Sequence, residues 1–478
     1  MKSIKLALMG GAALAVTSAA AHADDLDALK AQIETLNARV AAMEAAPAVP
    51  AGYSLLAISE GPRVVTPGLN DTASTIAAFG DKATYISVLP TADAPAGATI
   101  TWSGYARAGL VYKDSTTDFK VKNKETGEEV EPEDSGDSDD TDVLARGQIR
   151  VTASTDTAVG EVGVDIRLRA NFDGNGNGDV YSDVAWGYWS MTPELTFGGG
   201  YAGSLGNIGY GYDGACTCYY TDNADVAFNP GDVTQFRLSY ASGPFSMAAA
   251  LEDASINGAF VGDSGNEGIH ANKLGAAGEI KYSGDIFNGE IAGVWRARDD
   301  NKATVDGTEY EADWTDLWQI GAGMAFSLGD IATLSLAGAF GEGPFESVAG
   351  SGSNDAGEIT SAIPYNQSWW GVSGLISANL TDAIHAEAAV GYKSRDGDSA
   401  SIETVEAGLL TTDGIDWDQW AVLGGLYYDP VDQLTLGIEA EYYSTNESAD
   451  ITNEAGEEFR VTSDPTNFSV DFVTVWRF

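Results

Sequence analysis

Along most of this chain, apolar and polar residues alternate with a period of two. The alternation recurs in segments near 99–113, 143–156, 158–172, 180–192, 195–203, 233–242, 244–253, 273–283, 285–298, 316–328, 331–342, 368–380, 383–394, 418–429, 432–445 and 467–478. Successive side chains of a strand point to opposite faces, so each segment predicts a strand with one apolar and one wet face. In 159–172 one parity carries Glu161, Asp165, Arg167, Arg169 and Asn171, and the other Val162, Val164, Ile166, Leu168 and Phe172. In 432–443, Gln433, Thr435, Glu439 and Glu441 stand against Leu434, Leu436, Ile438 and Tyr442. The last segment alternates Phe468, Val470, Phe472, Trp476 and Phe478 with Asp471 and Arg477, and ends on an aromatic.

The connections sort into two kinds. Tight turns at Thr157, Pro193-Glu194, Gly243-Pro244, Gly284-Asp285, Gly329-Asp330, Thr381-Asp382 and Pro430-Val431 alternate with long polar stretches, the longest near 114–142 and 204–232. Short turns on one rim and long loops on the other predict a 16-stranded antiparallel transmembrane β-barrel over 99–478. Charge facing lipid is costly, so the wet parity is the lumen, and this many strands leave an aqueous channel. No apolar run is long enough to cross a membrane as a helix.

The start of the chain follows other rules. Residues 1–23 carry Lys2 and Lys5, an apolar run from Leu6 to Val16 and a small-residue end at Ala21-His22-Ala23, which predicts a signal peptide. Residues 24–46 switch to a heptad, with Leu26, Leu29, Ile33, Leu36, Val40 and Met43 spaced as a coiled-coil seam that stops at Pro47. So short a helix is marginal alone. It predicts either several copies brought together or one helix docked on its own chain. Residues 47–98 have no clear period and hold Pro62, Pro67, Pro90 and Pro95, as a linker or small insert would.

Composition narrows the function. There are 71 acidic and 25 basic residues, a formal net charge of −46, which excludes a nucleic-acid partner that would need clustered Lys and Arg. Abundant Gly, Trp and Tyr fit a barrel with a wet lumen, although a soluble acidic all-β protein would share them. Beyond residue 23 only His270 and His385 remain, poor material for a multi-histidine metal site or a Ser-His-Asp triad. No enzymatic role is therefore expected. Cys216 and Cys218 allow a small disulfide loop in an oxidising compartment, two free thiols, or ligation of a stray metal.

The signal, the sixteen-segment pattern and the terminal Phe478 together resemble a Gram-negative general porin of alphaproteobacterial type. The resemblance rests on architecture rather than on a sharp local motif. It implies a homotrimer in the outer membrane, passive diffusion of small hydrophilic solutes, and a third long loop folded into the pore. The connection 204–232 matches that loop in order and length, which would put Asp213, Asp222, Asp225 and Asp232 at the constriction. Arg107, Arg146, Arg150, Arg167 and Arg169, all on the wet parity of the first three strands, would form the facing wall. Opposed rows of charge would set up a transverse field that favours small polar solutes. Local pairing with Glu161 and Asp165 is the plainer alternative. The coiled coil departs from the simplest porins and suggests a periplasmic stalk. It also supports a rival role, an envelope-tethering barrel whose coil binds peptidoglycan or a periplasmic partner.

Two acidic stretches remain. Residues 114–142 hold Glu125, Glu128, Glu129, Glu131, Glu133, Asp134, Asp137, Asp139, Asp140 and Asp142, expected as a solvated loop that concentrates cations at the outer mouth. Divalent ions held there could bridge to phosphates of outer-membrane lipid and lipopolysaccharide. Asp173, Asn175, Asn177 and Asp179 copy the first half of a calcium loop, but its twelfth position is Val184 rather than Glu. A Gly/Asn-rich hairpin loop or a weak structural Ca2+ site are the two readings, and no other cofactor is expected.

Overall fold

The computed structural model describes residues 56–88, 99–130, 136–172, 178–221, 223–225, 230–253, 274–297, 301–305, 308–312, 316–344, 359–362, 366–397, 400–404, 408–453 and 455–478. The expected signal peptide and the seam Leu26, Leu29, Ile33, Leu36, Val40 and Met43 lie outside the described residues.

The alternating segments form sixteen antiparallel barrel strands, each paired with the next. They are β1 (Thr99–Asn123), β2 (Gly136–Thr157), β3 (Gly160–Phe172), β4 (Val180–Ser190), β5 (Leu195–Gly203), β6 (Asp232–Ser242), β7 (Phe245–Asp253) and β8 (Leu274–Ser283). The second half comprises β9 (Phe287–Arg296), β10 (Leu317–Ser327), β11 (Ala332–Pro344), β12 (Asn366–Thr381), β13 (Ile384–Gly397), β14 (Gly408–Val431), β15 (Leu434–Thr452) and β16 (Glu458–Arg477). β16 pairs with β1 from Arg477↔Tyr105 to Phe459↔Asn123, which closes the sheet and removes its edges. Phe478 completes the seam: its N–H donates to Gly104 O at 3.1 Å, and Gly104 N–H returns a bond at 3.3 Å.

Burial follows the parity of the sequence. On β3, Asp165 and Arg167 are buried, whereas Val164, Ile166 and Leu168 are exposed on the outer face. On β16, Phe468, Phe472 and Trp476 face outward while Asp471, Val473 and Val475 face in. A lipid-facing apolar surface and a polar lumen follow.

Two sequence expectations need correction. The stretch 114–142 is largely strand: β1 and β2 run for 25 and 22 residues and stay paired as far as Thr117↔Gly136. About ten residues suffice to cross a bilayer as a strand, so the pair projects past the barrel as an acidic rim. Continuous pairing, helped by the Ser115–Ser138 hydroxyl bond of 2.7 Å, outweighs the poor strand propensity of Asp. Three tight turns shift to Ala158-Val159, Asp382-Ala383 and Asp432-Gln433, because β2, β12 and β14 extend to Thr157, Thr381 and Val431.

Residues 56–88 have a structure that no sequence period announced. Leu56–Pro62 and Lys82–Val88 form an antiparallel hairpin in register from Leu56↔Val88 to Pro62↔Lys82, and Lys82–Val88 also pairs with the start of β1. Between them, residues 63–81 lie among inward-facing side chains of the barrel. They contain one helix, Ala73–Phe79, whose first turn is capped by Thr72 Oγ1 accepting from Thr75 N–H at 3.3 Å. Gly80, at φ 71°, ends it by donating to Ile76 O. Ala78 and Phe79 are buried against Tyr105, Tyr427, Val473 and Val475.

Candidate pore constriction

The loop between β5 and β6 runs along the inner wall over its described residues 204–221 and 223–225. A loop in the lumen has backbone N–H groups with no ladder partner, and acceptors on the wet parity meet that need. Gly209 N–H donates to Glu290 of β9, Gly211 N–H to Ser335 Oγ of β11 at 2.8 Å, and Tyr212 N–H to Ser373 Oγ of β12 at 3.1 Å. Thr217 N–H donates to Glu387 Oε2 of β13 at 2.8 Å. Tyr219 and Tyr220 N–H share the two oxygens of Glu439 on β15 at 2.7 and 2.9 Å, and Asn223 N–H reaches Glu441 Oε1 at 2.8 Å. Four wall carboxylates, Glu290, Glu387, Glu439 and Glu441, thus act as loop anchors. Glycine makes room where the loop presses close. Gly211 adopts φ 70°, and a Cβ on Gly391 would sit 2.5 Å from Ala224 O. Cys216 and Cys218 are bridged to each other within this loop.

A cavity of about 640 Å³ separates the loop from β1 and β2. Arg107, Arg146, Asn171, Tyr220, Asp213 and Asp225 line it. Arg107 holds its guanidinium 4.5 Å from the Tyr220 ring centre and 5.3 Å from that of Tyr219, a cation–π contact with the loop. Arg146 Nε donates to Asn171 Oδ1 at 2.6 Å, and Asp225 is ion-paired with Lys393 of β13. Arg107 and Arg146 of the wall and Asp213 and Asp225 of the loop thus line one cavity.

The other expected residues sit elsewhere. Arg150 and Arg167 are buried and do not line this cavity. Arg150 Nη2 donates to Asp165 Oδ2 at 2.8 Å and to Thr66 Oγ1 at 2.9 Å, and Arg167 Nη2 donates to Asp71 Oδ1 at 2.7 Å. Arg169 pairs with Asp183 on β4 at 2.6 Å. Local pairing thus claims three of the five arginines, because carboxylates of β3, β4 and the inserted segment lie nearer than the loop. Asp232 is the first residue of β6 rather than a loop residue. Asp222 lies outside the described residues, as do Asp173, Asn175 and Asn177; Asp179 is exposed.

Sequence reasoning missed Asp71 and Thr66, which lie in the stretch without periodicity. Asp71 is on this inserted segment rather than on a membrane-crossing strand. Burial opposes its ionisation, but the Arg167 and Arg150 guanidiniums outweigh burial and hold the carboxyl below its ordinary value. A signal did exist, in the apolar residues at wet-parity positions. Tyr105, Trp186, Tyr427, Val473 and Val475 face inward and pack against 63–81 or the pore loop.

Residues 98–469 match the family model described as the porin subfamily. Among solved structures, the chain is similar to OmpT, an outer membrane protein of Vibrio cholerae, at 14% identity and TM-score 0.43, covering 80% of this chain and 98% of that one. An anion-selective porin from Comamonas acidovorans aligns at 11% identity and TM-score 0.43, over 80% of this chain and 100% of that one. A Rh. blastica porin mutant aligns at 14% identity and TM-score 0.37, over 79% and 100%. No curated protein matches the chain.

Proposed function

The chain belongs to the porin subfamily and forms an outer-membrane channel, and on that premise we propose passive diffusion of small hydrophilic solutes and ions with a preference for cations. Charge at the mouth carries the preference. On the projecting β1–β2 pair and its turn stand Asp114, Asp118, Glu125, Glu128, Glu129, Asp137, Asp139, Asp140 and Asp142, against Lys113, Lys120, Lys122 and Lys124. Lys124 is itself paired with Asp450 and Glu458 at 3.3 and 3.1 Å. Such an excess of carboxylates, all exposed but the half-buried Asp142, raises the local cation concentration within about a Debye length, ~10 Å at 0.1 M salt. At the constriction, Arg107 and Arg146 opposite Asp213 and Asp225 favour polar over apolar solutes. The assembly proposed is a homotrimer, as the family resemblance implies.

Planar-bilayer recording tests both parts. A reversal potential of cationic sign in a KCl gradient and conductance steps in threes are expected. An anionic sign would sink the preference, and single steps would sink the trimer.

A further inference from the structure

Residues 63–81 are a hairpin loop displaced into the lumen. Pro62 already pairs with Lys82, and Arg63 N–H donates to Asp81 O at 2.7 Å, so the chain could turn tightly there. Instead it runs through the barrel and meets the wall on several sides. Thr66 Oγ1 donates to Asp165 of β3 at 2.8 Å, and Trp186 Nε1 of β4 donates to Pro67 O at 3.3 Å. Arg237 of β6 donates to Gly68 O, and Asn70 Nδ2 donates to Glu279 of β8 at 2.8 Å. At the far end Arg477 Nε of β16 donates to Ala77 O at 2.7 Å, and Phe79 lies edge-on to Tyr105 of β1 at 5.2 Å. In the middle, Ala73 N–H donates to Gly214 O of the pore loop at 2.8 Å.

We propose that residues 63–81 form a fixed luminal strap that narrows the channel and withdraws Arg150 and Arg167 from its water, with Asp71 as a selectivity-determining residue. The proposal rests on the channel reading above. Bonded to the loop through Ala73 and to the wall at both ends, the strap occupies lumen that would otherwise be open. The 640 Å³ cavity touches it at Ser74, and a second cavity of about 400 Å³ borders it at Arg63, Asn70 and Asp71 and reaches Lys281 and Glu290. Asp213 lines both cavities, beside the Ala73–Gly214 bond.

The charge argument is separate. Asp71 Oδ2 accepts from Arg63 Nη1 at 2.7 Å and lies 3.9 Å from Arg150 Nη1, while its other oxygen holds Arg167. Asp71 and Asp165 together face three guanidiniums. Without the Asp71 carboxylate, Arg63, Arg150 and Arg167 would be left with Asp165 alone, and the lumen would gain an uncompensated positive charge. Without the whole strap, Arg150 and Arg167 would be uncovered to solvent.

Three variants test this in bilayers, each first shown to be folded by heat-modifiable migration. Replacing residues 63–81 with Asn-Gly closes the hairpin with a two-residue turn. It should raise single-channel conductance about twofold and move the reversal potential toward anions. Asp71→Asn should move the reversal potential in the same direction with little change in conductance. Ser74→Cys introduces a free thiol where the native cysteines are bridged. A charged methanethiosulfonate should then change its current in steps, which keeps the test decisive even if the shortened chain does not fold. Conductance, reversal potential and thiol response all matching the unaltered protein would overturn the strap. Loss of conductance in the unaltered protein would instead retire the channel reading.

Discussion

Arg167 Nη2 donates to Asp71 Oδ1 at 2.7 Å, tying the third strand of the barrel to a hairpin loop that precedes the first. The side chains are 4% and 12% exposed, so neither charge has water as an adequate substitute partner. Removing the Asp71 carboxylate leaves Arg63, Arg150 and Arg167 with Asp165 alone, and breaking a buried pair in this way typically costs about 3 kcal/mol or more. Asp71→Asn should lower stability by roughly that amount, and a double-mutant cycle with Arg167→Met in detergent unfolding should show strong coupling. Additive effects would mean that the pair contributes little.

The same pair predicts a pH dependence. The folded-state pKa of Asp71 lies below its ordinary value of 3.8, so its contribution is fully present above that value and is lost as pH falls through the depressed one. The Tm difference between the unaltered protein and Asp71→Asn should stay constant from pH 8 to about 5 and shrink only below about 4. A difference that vanished near pH 6 would contradict the assignment.

Glu439 accepts from Tyr219 N–H, Tyr220 N–H and the Tyr427 hydroxyl, the last at 2.9 Å. Glutamine keeps the shape but turns one acceptor into a donor facing a donor. Glu439→Gln should weaken loop anchoring by about 1–3 kcal/mol. Open-channel noise and protease cutting near Tyr219 should both rise. A quiet channel with an uncut loop would show that the remaining anchors suffice.

Rim and constriction should respond differently to salt. Changing Asp137, Asp139 and Asp140 to Asn should reduce cation preference at about 0.1 M KCl and have little effect at about 1 M, where the Debye length falls to ~3 Å. Arg146→Ala acts at the constriction, where water is confined and screening is weaker. It should raise cation preference and keep most of that effect at high salt. Reversal potentials at the two concentrations decide; equal salt dependence for both variants would be the contrary result.

Much of the site was legible in part only. Parity put Arg107 and Arg146 on the luminal face, and the porin resemblance implied that 204–232 would be the pore loop. Parity says nothing of partners, however. Arg150, Arg167 and Arg169 share the luminal parity and are occupied by Asp165, Asp71 and Asp183. Glu439 and Glu441, read from parity as wet-face lumen charge, are instead acceptors for loop backbone.

The sequence by itself determined the strand count, the two faces and the closing aromatic strand. Lipid and water sort side chains one residue at a time, so a period of two records that sorting directly in the chain. Only the tertiary structure decided which luminal charges meet water. That depends on what else enters the barrel, and the entering segment is held by contacts as distant as Thr66 with Asp165, 99 residues apart, and Arg477 with Ala77, 400 apart. Irregular backbone leaves no period, and its nearest trace was indirect, in inward-facing Tyr105, Val473 and Val475, which are apolar because Phe79 covers them.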